Sequence, residues 1–494
     1  MQIVENGRYE LAEKPVASRL WNQDLAATTL EQRNWHKFNM IALWVGLSVQ
    51  IPTYMLGSSL ISNGMNWWQA VLTVLLGNLI VLIPMIMIGH AGTKYGIPFP
   101  VFLRACFGTE GARFASLLRA LVACGWFGIQ TWIGGNAIYQ LLVLVVPNFV
   151  SSYYLGSFID LNIAQLCCFV LFWFSQMLLL HHGMESVRRL STFAAPLLIL
   201  VGFILLGWAY IKGQSLGKIL AASYVLQGKM HGSIWGIFWP GLTSIIGFWS
   251  TLALNIPDFT RFVRSQKDQF IGQIVGLPST MTFYAFIGIF VASATILIFG
   301  RAIWNPVTLL GEFKNPVIIV FSMFSIVLAT ACCNIMANVV SPANDFSNLF
   351  PKKISFRMGC YLTGIIGILM FPWKLMADPQ GYIFRWLLAY SALLGAVGGI
   401  MLCDYYVLRK TQLNLYDLFQ DVGEYTYTKG WNWYAYIAFF LAIVPCVPGF
   451  LVKIGMVNAS SVCGILLNLY DYAWFISLGL AFIIYWFLMR FNAK

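Results

Sequence analysis

Residues 121–135 read LVACGWFGIQTWIGG, an apolar and glycine-rich stretch that is long enough, with its flanks, to cross a lipid bilayer. Trp126 and Gln130 lie four residues apart in it, so a helix places both side chains on one face, one turn apart. An indole next to a carboxamide suits a flat, neutral ring with amide edges better than it suits lipid. The same pair also occurs where membrane helices only pack together, and this stretch alone leaves both interpretations open.

The composition of the 494-residue chain is that of a helical membrane protein. It is 59% hydrophobic and 10% charged, with a mean hydropathy of +0.74, whereas soluble domains carry about 25% charged residues. We predict an all-α polytopic membrane protein with about twelve transmembrane helices. The predicted spans are 38–62, 68–90, 114–146, 161–180, 191–211, 234–256, 272–299, 316–340, 358–373, 382–407, 433–452 and 472–489.

The chain has a net charge of +12, and its positive charges are distributed unequally over the two predicted sides of the membrane. When the loops are assigned alternately to the two sides, most lysines and arginines fall on the side of the N-terminus, as the positive-inside rule requires. We therefore expect a multi-pass protein of the cytoplasmic membrane with both termini in the cytoplasm, in contact with anionic lipid and with no nucleic-acid partner. Residues 1–37 lack the apolar segment of a signal peptide, so the first span is expected to direct insertion.

The sequence offers no constellation for catalysis. The adjacent pairs Cys167–Cys168 and Cys332–Cys333 do not have the CxxC spacing of metal or redox sites, and no nucleophile–base pair falls at midplane depth. We therefore predict that the protein is not an enzyme and has no cofactor. A channel would need rings of carbonyls or charges, and none is evident; a receptor would bind its ligand without moving it.

The first predicted span contains a proline at midplane depth. Gly46 and Pro52 bracket Gln50, and a proline inside a helix removes a backbone hydrogen bond. Opened backbone at this depth is tolerated only where it lines a cavity or is buried in protein. We expect a broken helix with free carbonyls around residues 46–49, the alternative being a simple proline kink.

Two later spans carry polar or glycine-containing segments at similar depth. The sixth span contains GFWS at residues 247–250, a second candidate break. The eighth carries Asn334 and Asn338, one turn apart on one helical face. Carboxamides in a membrane helix need partners; the plainer alternative is hydrogen bonding between helices, worth about 0.6 kcal/mol on average.

These features recur five spans apart. Spans one and six are the candidate broken helices, and spans three and eight carry the polar pairs; because five is odd, the members of each pair run in opposite directions. This pattern predicts an inverted 5+5 helix repeat with the substrate near the midplane. We expect a cytoplasmic segment at 1–37, repeats at 38–211 and 234–407, and two further helices within 433–489.

Six motifs along the chain resemble the nucleobase–cation symporter family 1, which comprises permeases for cytosine and purines, uracil, thiamine and allantoin. The resemblance extends from about Trp21 to Arg490 and is closest to the branch of allantoin, hydantoin and uracil permeases, with LHHGMES at 180–186 similar to allantoin permeases. The motifs are TKYGIPFPVFLRACFG (93–108), WFGIQTW (126–132), NIPDFTRF (255–262), ANVVSPA (337–343), PWKL (372–375) and DYYVLRK (404–410).

The resemblance implies an aromatic sandwich for the substrate ring. In the family the ring stacks between tryptophans of helices 3 and 6, which correspond to Trp126 and Trp249. The residue before the second tryptophan supplies a backbone contact; it is glycine in the hydantoin transporter and Phe248 here. The pocket edge is therefore expected to be tighter or differently shaped.

The resemblance also implies which carboxamides contact the ring. Gln130 corresponds to the glutamine that contacts the amide edge, and Gln50 to a glutamine in the break of helix 1. Asn334 and Asn338 correspond to two asparagines of helix 8, of which Asn338 is the direct substrate partner.

The implied sodium site departs from the family pattern. The family's carbonyl ligands correspond to Gly46, Val49 and Ala329, but its two hydroxyl ligands are replaced by Cys332 and Cys333. Sodium prefers oxygen ligands, and thiol sulfur is a poor substitute. No Asp or Glu lies near the middle of a predicted span, so the usual carboxylate of a proton relay is also missing. Weak sodium coupling, proton coupling and uncoupled facilitated diffusion remain open.

We therefore expect a secondary active transporter that imports a neutral planar amide heterocycle of the allantoin, hydantoin or uracil type by alternating access. The alternatives are a purine or cytosine permease of the same family, a proton-coupled or uncoupled facilitator, and, from another class, a membrane receptor or channel. The sequence does not indicate which heterocycle is carried or the oligomeric state.

Overall fold

The computed structural model describes residues 2–5, 7–13, 18–146, 156, 161–182, 184–229, 234–379 and 381–492, and its architecture is almost entirely helical. A short antiparallel hairpin, β1 (Gln2–Glu5) and β2 (Arg8–Leu11), precedes the helices. The first helices are α1 (Lys37–Ser48), α2 (Ile51–Ser62), α3 (Trp67–Tyr95), α4 (Phe99–Phe107), α5 (Ala112–Val145), α6 (Ile163–His181), α7 (Met184–Gly213) and α8 (Leu216–Lys229).

The remaining chain continues in the same way, with two π-helical turns flanking α17 (Leu388–Leu402). These turns are Gly381–Leu387 and Cys403–Leu408. The other helices are α9 (Trp235–Asn255), α10 (Pro257–Thr260), α11 (Gln266–Phe299), α12 (Pro306–Gly311), α13 (Pro316–Asn338), α14 (Val340–Leu349), α15 (Phe356–Leu369), α16 (Pro372–Leu375), α18 (Trp433–Ile443), α19 (Val447–Lys453), α20 (Gly464–Asp471) and α21 (Ala473–Asn492). Short 3-10 turns occur at Gln23–Leu25, Asp417–Phe419, Glu424–Thr426, Val444–Cys446 and Ala459–Ser461.

The prediction of a polytopic helical membrane protein is confirmed, but the count of twelve spans is not. Ten helices in the described residues are long and apolar enough to cross a bilayer, or eleven when α1 and α2 are counted as one span. The predicted ninth span is α15, which has only 14 residues. The connection between the predicted fifth and sixth spans contains a further helix, α8, at residues 216–229.

The predicted break in the first span is present. Helices α1 and α2 meet at 59°, which is far more than a gentle bend. Gln50 is extended (φ −150°, ψ 156°), and its backbone N–H donates to the carbonyl of Ser48 at 3.0 Å. Pro52 then lies in the first turn of α2, where a missing N–H costs no helical hydrogen bond. The proline therefore starts a new helix at the midpoint of the span.

The predicted break in the sixth span at residues 247–250 is wrong. Helix α9 runs without interruption through this segment to Asn255. A Cβ at Gly247 would lie 2.8 Å from the carbonyl oxygen of Leu387, so the glycine lets the π-helical turn approach α9 closely. The interruption comes at Ile256, just before α10 begins at Pro257.

Helix α5 is central to the packing that positions the predicted site. It contacts α6, α13, α14 and α15. The eighth span changes from α13 to α14 at Val339, directly after Asn338. Asn338 is therefore the last residue of a helix that packs along α5, the helix that carries Trp126 and Gln130.

A buried ion pair joins α5 to α14. Arg119 and Asp345 are 1% and 0% exposed, with Nη1 and Oδ2 3.0 Å apart. We predict that Asp345→Asn lowers the free energy of unfolding by about 3–5 kcal/mol, because it leaves a buried guanidinium without its counter-charge. The exposed pair Arg301–Glu312 is the control, where Glu312→Gln is expected to cost about 0–1 kcal/mol. Thermal unfolding of the purified variants measures this, and equal melting temperatures would contradict it.

Candidate substrate and cation sites

Trp126 lies in an aromatic cluster in the interior. Its indole is 4% exposed, and Nε1 donates to the hydroxyl of Tyr390 at 3.2 Å. The ring of Phe248 meets it edge-on, with centroids 5.0 Å apart and planes at 72°. Tyr382 and Trp386 complete the cluster with centroids at 6.2 Å. The indole is thus fixed in orientation by one hydrogen bond and several ring contacts.

Gln130 and Gln50 form a carboxamide pair between α5 and the break of the first span. Gln130 Nε2 donates to Gln50 Oε1 at 2.7 Å, and Gln50 Nε2 donates to the carbonyl of Leu47 at 2.6 Å. Gln130 Oε1 is buried and has no hydrogen-bond partner among the described residues. A buried amide oxygen left in this way costs about 1–3 kcal/mol, which a ligand that donates a hydrogen bond would recover.

Asn334 and Asn338 are linked at the end of α13. Asn338 Nδ2 donates to Asn334 Oδ1 at 3.0 Å. Asn334 Nδ2 lies near three acceptors, namely the carbonyl of Phe127 at 3.0 Å, Thr131 Oγ1 at 3.2 Å and Gln176 Oε1 at 2.8 Å. The two asparagines are 0% and 6% exposed. The spacing along α13 thus produces a connected pair in contact with α5.

Trp249 lies in a different set of contacts from Trp126. Its indole is completely buried, meets Trp44 edge-on at 5.3 Å and donates from Nε1 to Asn78 Oδ1 at 2.9 Å. Phe248 contacts both indoles, with its ring 5.0 Å from each. The ring expected between Trp126 and Trp249 would therefore have to share this space with Phe248, and the role of Trp249 stays a prediction.

The five residues of the predicted cation site line one cavity of about 390 Å³. Gly46 and Val49 come from the first span, and Ala329, Cys332 and Cys333 from α13. The other lining residues that the structure describes have apolar side chains: Ala42, Val45, Ala194, Ala195, Pro196, Leu198 and Met336. Among these described lining residues, none carries a hydroxyl or a carboxylate.

The cavity and the carboxamide pair are adjacent. Cys333 Sγ lies 3.5 Å from Gln50 Oε1, the same oxygen that accepts from Gln130. Gln50, at the break of the first span, therefore contacts a residue of each of the two predicted sites.

Residues 27–477 match the family model described as permease for cytosine/purines, uracil, thiamine, allantoin. The chain belongs to this family. It is a multi-pass membrane transporter and not an enzyme, and the resemblance inferred from its motifs is confirmed.

Relatives of this permease carry names of several heterocycles. It is 44% identical over 472 residues to a purine-uracil permease of Arabidopsis thaliana, covering 95% of this chain and 78% of the relative. It is 39% identical over 477 residues to the allantoin permease of Bacillus subtilis, covering 96% and 94%. Among solved structures it is similar to the inward-facing conformation of Mhp1, with a TM-score of 0.79, 25% identity and coverage of 97% and 95%.

The same fold occurs in a second solved structure, Mhp1 in a closed conformation with bromovinylhydantoin bound. The TM-score is 0.76, and each chain is covered to 96% at 24% identity. Mhp1 is a transporter of the nucleobase-cation-symport-1 family. The two Mhp1 structures are in a closed and an inward-facing conformation, and this permease shares their fold.

Some polar groups around the predicted site of this permease were not anticipated. Gln176 on α6 and Asn78 on α3 are completely buried and hydrogen-bonded to site residues or their neighbours. Tyr390, on α17, holds the indole of Trp126. A carboxamide within a long apolar run was the available signal for the first two, since such a group must find a partner on another helix.

Proposed function

We propose that this permease imports a neutral planar amide heterocycle of the allantoin, hydantoin or uracil type across the cytoplasmic membrane. The observation that supports this most is the buried Gln50–Gln130 pair, whose Gln130 Oε1 has no hydrogen-bond partner among the described residues, on the same helix as the buried indole of Trp126. Asn338 is buried as well. The names of the relatives, among them an allantoin permease and a hydantoin permease, point to the same substrate class.

The chemistry of these side chains matches such a ring. An indole face binds any flat ring by stacking, worth roughly 1–3 kcal/mol by analogy with base stacking. Carboxamides offer both a donor and an acceptor, so they can pair with alternating N–H and C=O groups of a cyclic amide. Trp126, Gln130, Gln50 and Asn338 carry no charge, which favours a neutral substrate over an anion or cation.

A purine is the second candidate substrate. The relative at 44% identity is named a purine-uracil permease. A bicyclic purine needs more space beside Trp126 than a single ring, and Phe248 occupies part of that space in the present structure. A purine would therefore require a larger displacement of the phenyl group than uracil or hydantoin.

We further propose that sodium coupling is weak or absent, leaving a proton or no coupling ion. The predicted site offers backbone carbonyls at Gly46, Val49 and Ala329 but thiols in place of hydroxyls.

The proposed topology has residues 1–37 and both termini in the cytoplasm, with repeats at 38–211 and 234–407. It also has two further helices within 433–489. The bilayer and the substrate are its partners, and the oligomeric state is open.

Uptake into proteoliposomes tests the proposed function. Labelled allantoin, hydantoin, uracil and hypoxanthine are offered separately, with sodium and pH gradients imposed one at a time. We expect saturable uptake of at least one of the first three. Binding without flux would indicate a receptor, non-saturable flux a channel, and uptake of hypoxanthine alone the purine alternative; each would contradict the proposal.

Phe248 is predicted to limit the size of ring substituents. Phe248→Ala removes the phenyl group that contacts Trp126, and one methylene of misfit in an apolar pocket is worth about 10–200-fold in specificity. We expect 5-benzylhydantoin to inhibit uptake by the variant about tenfold more strongly than uptake by the wild type. Phe290→Ala is the control, because both phenylalanines are 4% exposed. Equal inhibition of all three proteins would contradict a role of Phe248 at the pocket edge.

A further inference from the structure

A chain of buried carboxamides extends from α6 across α5 to the end of α13. Gln176 on α6 is completely buried, and its Oε1 accepts from Asn334 Nδ2 at 2.8 Å. Asn334 Oδ1 in turn accepts from Asn338 Nδ2 at 3.0 Å. The chain thus connects a helix outside the predicted pocket to the asparagine expected to bind the substrate.

The hydrogen bonds give this chain one direction. The hydroxyl of Thr131 donates to the carbonyl of Phe127 at 2.7 Å, so Thr131 Oγ1 is an acceptor for its neighbours. Gln176 Nε2 donates to that oxygen at 3.1 Å, which turns Gln176 Oε1 toward Asn334. The amide orientations follow from this network of donors and acceptors.

The last member of the chain ends with an unused acceptor. Asn338 Nδ2 is committed to Asn334, and Asn338 Oδ1 has no hydrogen-bond partner within the part of the chain that the structure describes. If Asn334 reversed its amide, Asn338 would have to reverse as well and present its NH₂ group instead. The orientation of Asn338 therefore depends on the groups that orient Asn334.

We propose that Gln176 is a positioning residue for substrate recognition: it fixes Asn334, and through it Asn338, so that Asn338 presents a carbonyl oxygen to a ring N–H. This inference rests on the proposed function and specifies the substrate, which must offer an N–H donor at the edge facing Asn338. Gln176 does not touch the ring itself. Its removal weakens recognition without removing a substrate contact.

The expected consequence is a loss of discrimination as well as of affinity. In Gln176→Leu, Asn334 Nδ2 keeps the carbonyl of Phe127 and the hydroxyl of Thr131, so the helices stay joined, but its shortest hydrogen bond is gone. We expect KM to rise about tenfold, the effect of one lost neutral hydrogen bond, with the maximal rate within about twofold because the transport cycle is not altered.

N-methylated analogues distinguish positioning from a merely structural role. The ratio of inhibition constants between each N-methyl derivative and the parent ring is measured for the transported substrate, hydantoin or uracil. The wild-type protein is expected to reject the derivative that is methylated at the nitrogen facing Asn338. For this derivative, Gln176→Leu is expected to reduce the ratio of inhibition constants about tenfold. A structural defect lowers the amount of active protein and leaves the ratio unchanged.

Three further variants complete the test. In Gln176→Glu, the buried and neutral carboxyl group keeps an acceptor oxygen toward Asn334. The ratio of inhibition constants is therefore expected to stay within about threefold of the wild-type ratio. Gln273→Leu removes another completely buried glutamine, from α11, and should leave KM and the ratio unchanged. Gln176→Met provides the same comparison as Gln176→Leu if the latter does not reach the membrane.

The outcomes separate the two proposals. If wild type carries none of the ring compounds, the proposed function fails whatever the variants do. If wild type transports but Gln176→Leu and Gln176→Met keep the wild-type KM and ratio, the positioning role is overturned. If Gln176→Glu and Gln176→Leu reduce the ratio of inhibition constants equally, the positioning role is also overturned. The acceptor oxygen at position 176 would then have no effect on recognition.

Discussion

Asn338→Ala is expected to reduce uptake of the transported heterocycle at least about 100-fold while the protein still inserts into the membrane. The substitution removes the group proposed to pair with the ring, and a buried substrate polar group left unpaired costs about 1–3 kcal/mol in addition to the lost hydrogen bond. Asn338 is the last residue of α13, so its replacement leaves the helix before it intact. The measurement is the initial rate of uptake at matched amounts of protein in the membrane.

Trp126→Ala is the companion variant, with the same expected loss, because it removes the stacking surface and the hydrogen bond to Tyr390. Asn432→Ala is a matched control, since Asn432 is 1% exposed and hydrogen-bonded to the carbonyl of Cys106, far along the chain from the pocket residues. Normal uptake in both Asn338→Ala and Trp126→Ala would exclude the proposed pocket.

The second large effect is expected from replacing the thiols of the cation site. We predict that a sodium gradient changes uptake by wild type less than about twofold, since thiols are poor sodium ligands. The double variant Cys332→Ser/Cys333→Thr adds two hydroxyl oxygens to the cavity that Gly46, Val49 and Ala329 also line. Its uptake is expected to rise at least about fivefold with an inward sodium gradient, because a hard cation then has oxygen ligands.

The measurement compares sodium with choline in the external buffer at constant pH and membrane potential. Cys360→Ser is the control, because Cys360 is a buried free cysteine that does not line the cavity. Strong sodium dependence in wild type would show that the hydroxyls are not required. If the double variant transports normally but is not stimulated by sodium, the ion either binds elsewhere in the protein or takes no part in transport.

Much of the fold follows from local sequence patterns. Apolar runs of bilayer length located most spans, and Gly46 with Pro52 identified the broken first helix because proline acts on its own backbone. Gly247 was misread as a second break: the sequence shows that a glycine is present but not that the carbonyl of Leu387 approaches it. Helix α13 ends at Asn338, two residues before the predicted end of the eighth span.

The candidate site was predictable as a set of residue types but not as a hydrogen-bonded network. Asn334 and Asn338 lie one turn apart on one helix, so their contact follows from spacing. Gln176 is 158 residues from its partner Asn334, and no spacing along one helix reveals such a contact. The position of Phe248 between Trp126 and Trp249 depends on the rotation of α9 against α5, which tertiary packing decides.

A structure of the protein with its transported ring bound tests the central claim most directly. The account predicts the ring stacked on the indole of Trp126, with the side-chain amides of Gln130 and Asn338 within about 3 Å of its N–H and C=O groups. Phe248 is expected to have moved away from Trp126. A ring bound elsewhere, with Trp126, Gln130 and Asn338 keeping the contacts they have now, would contradict it.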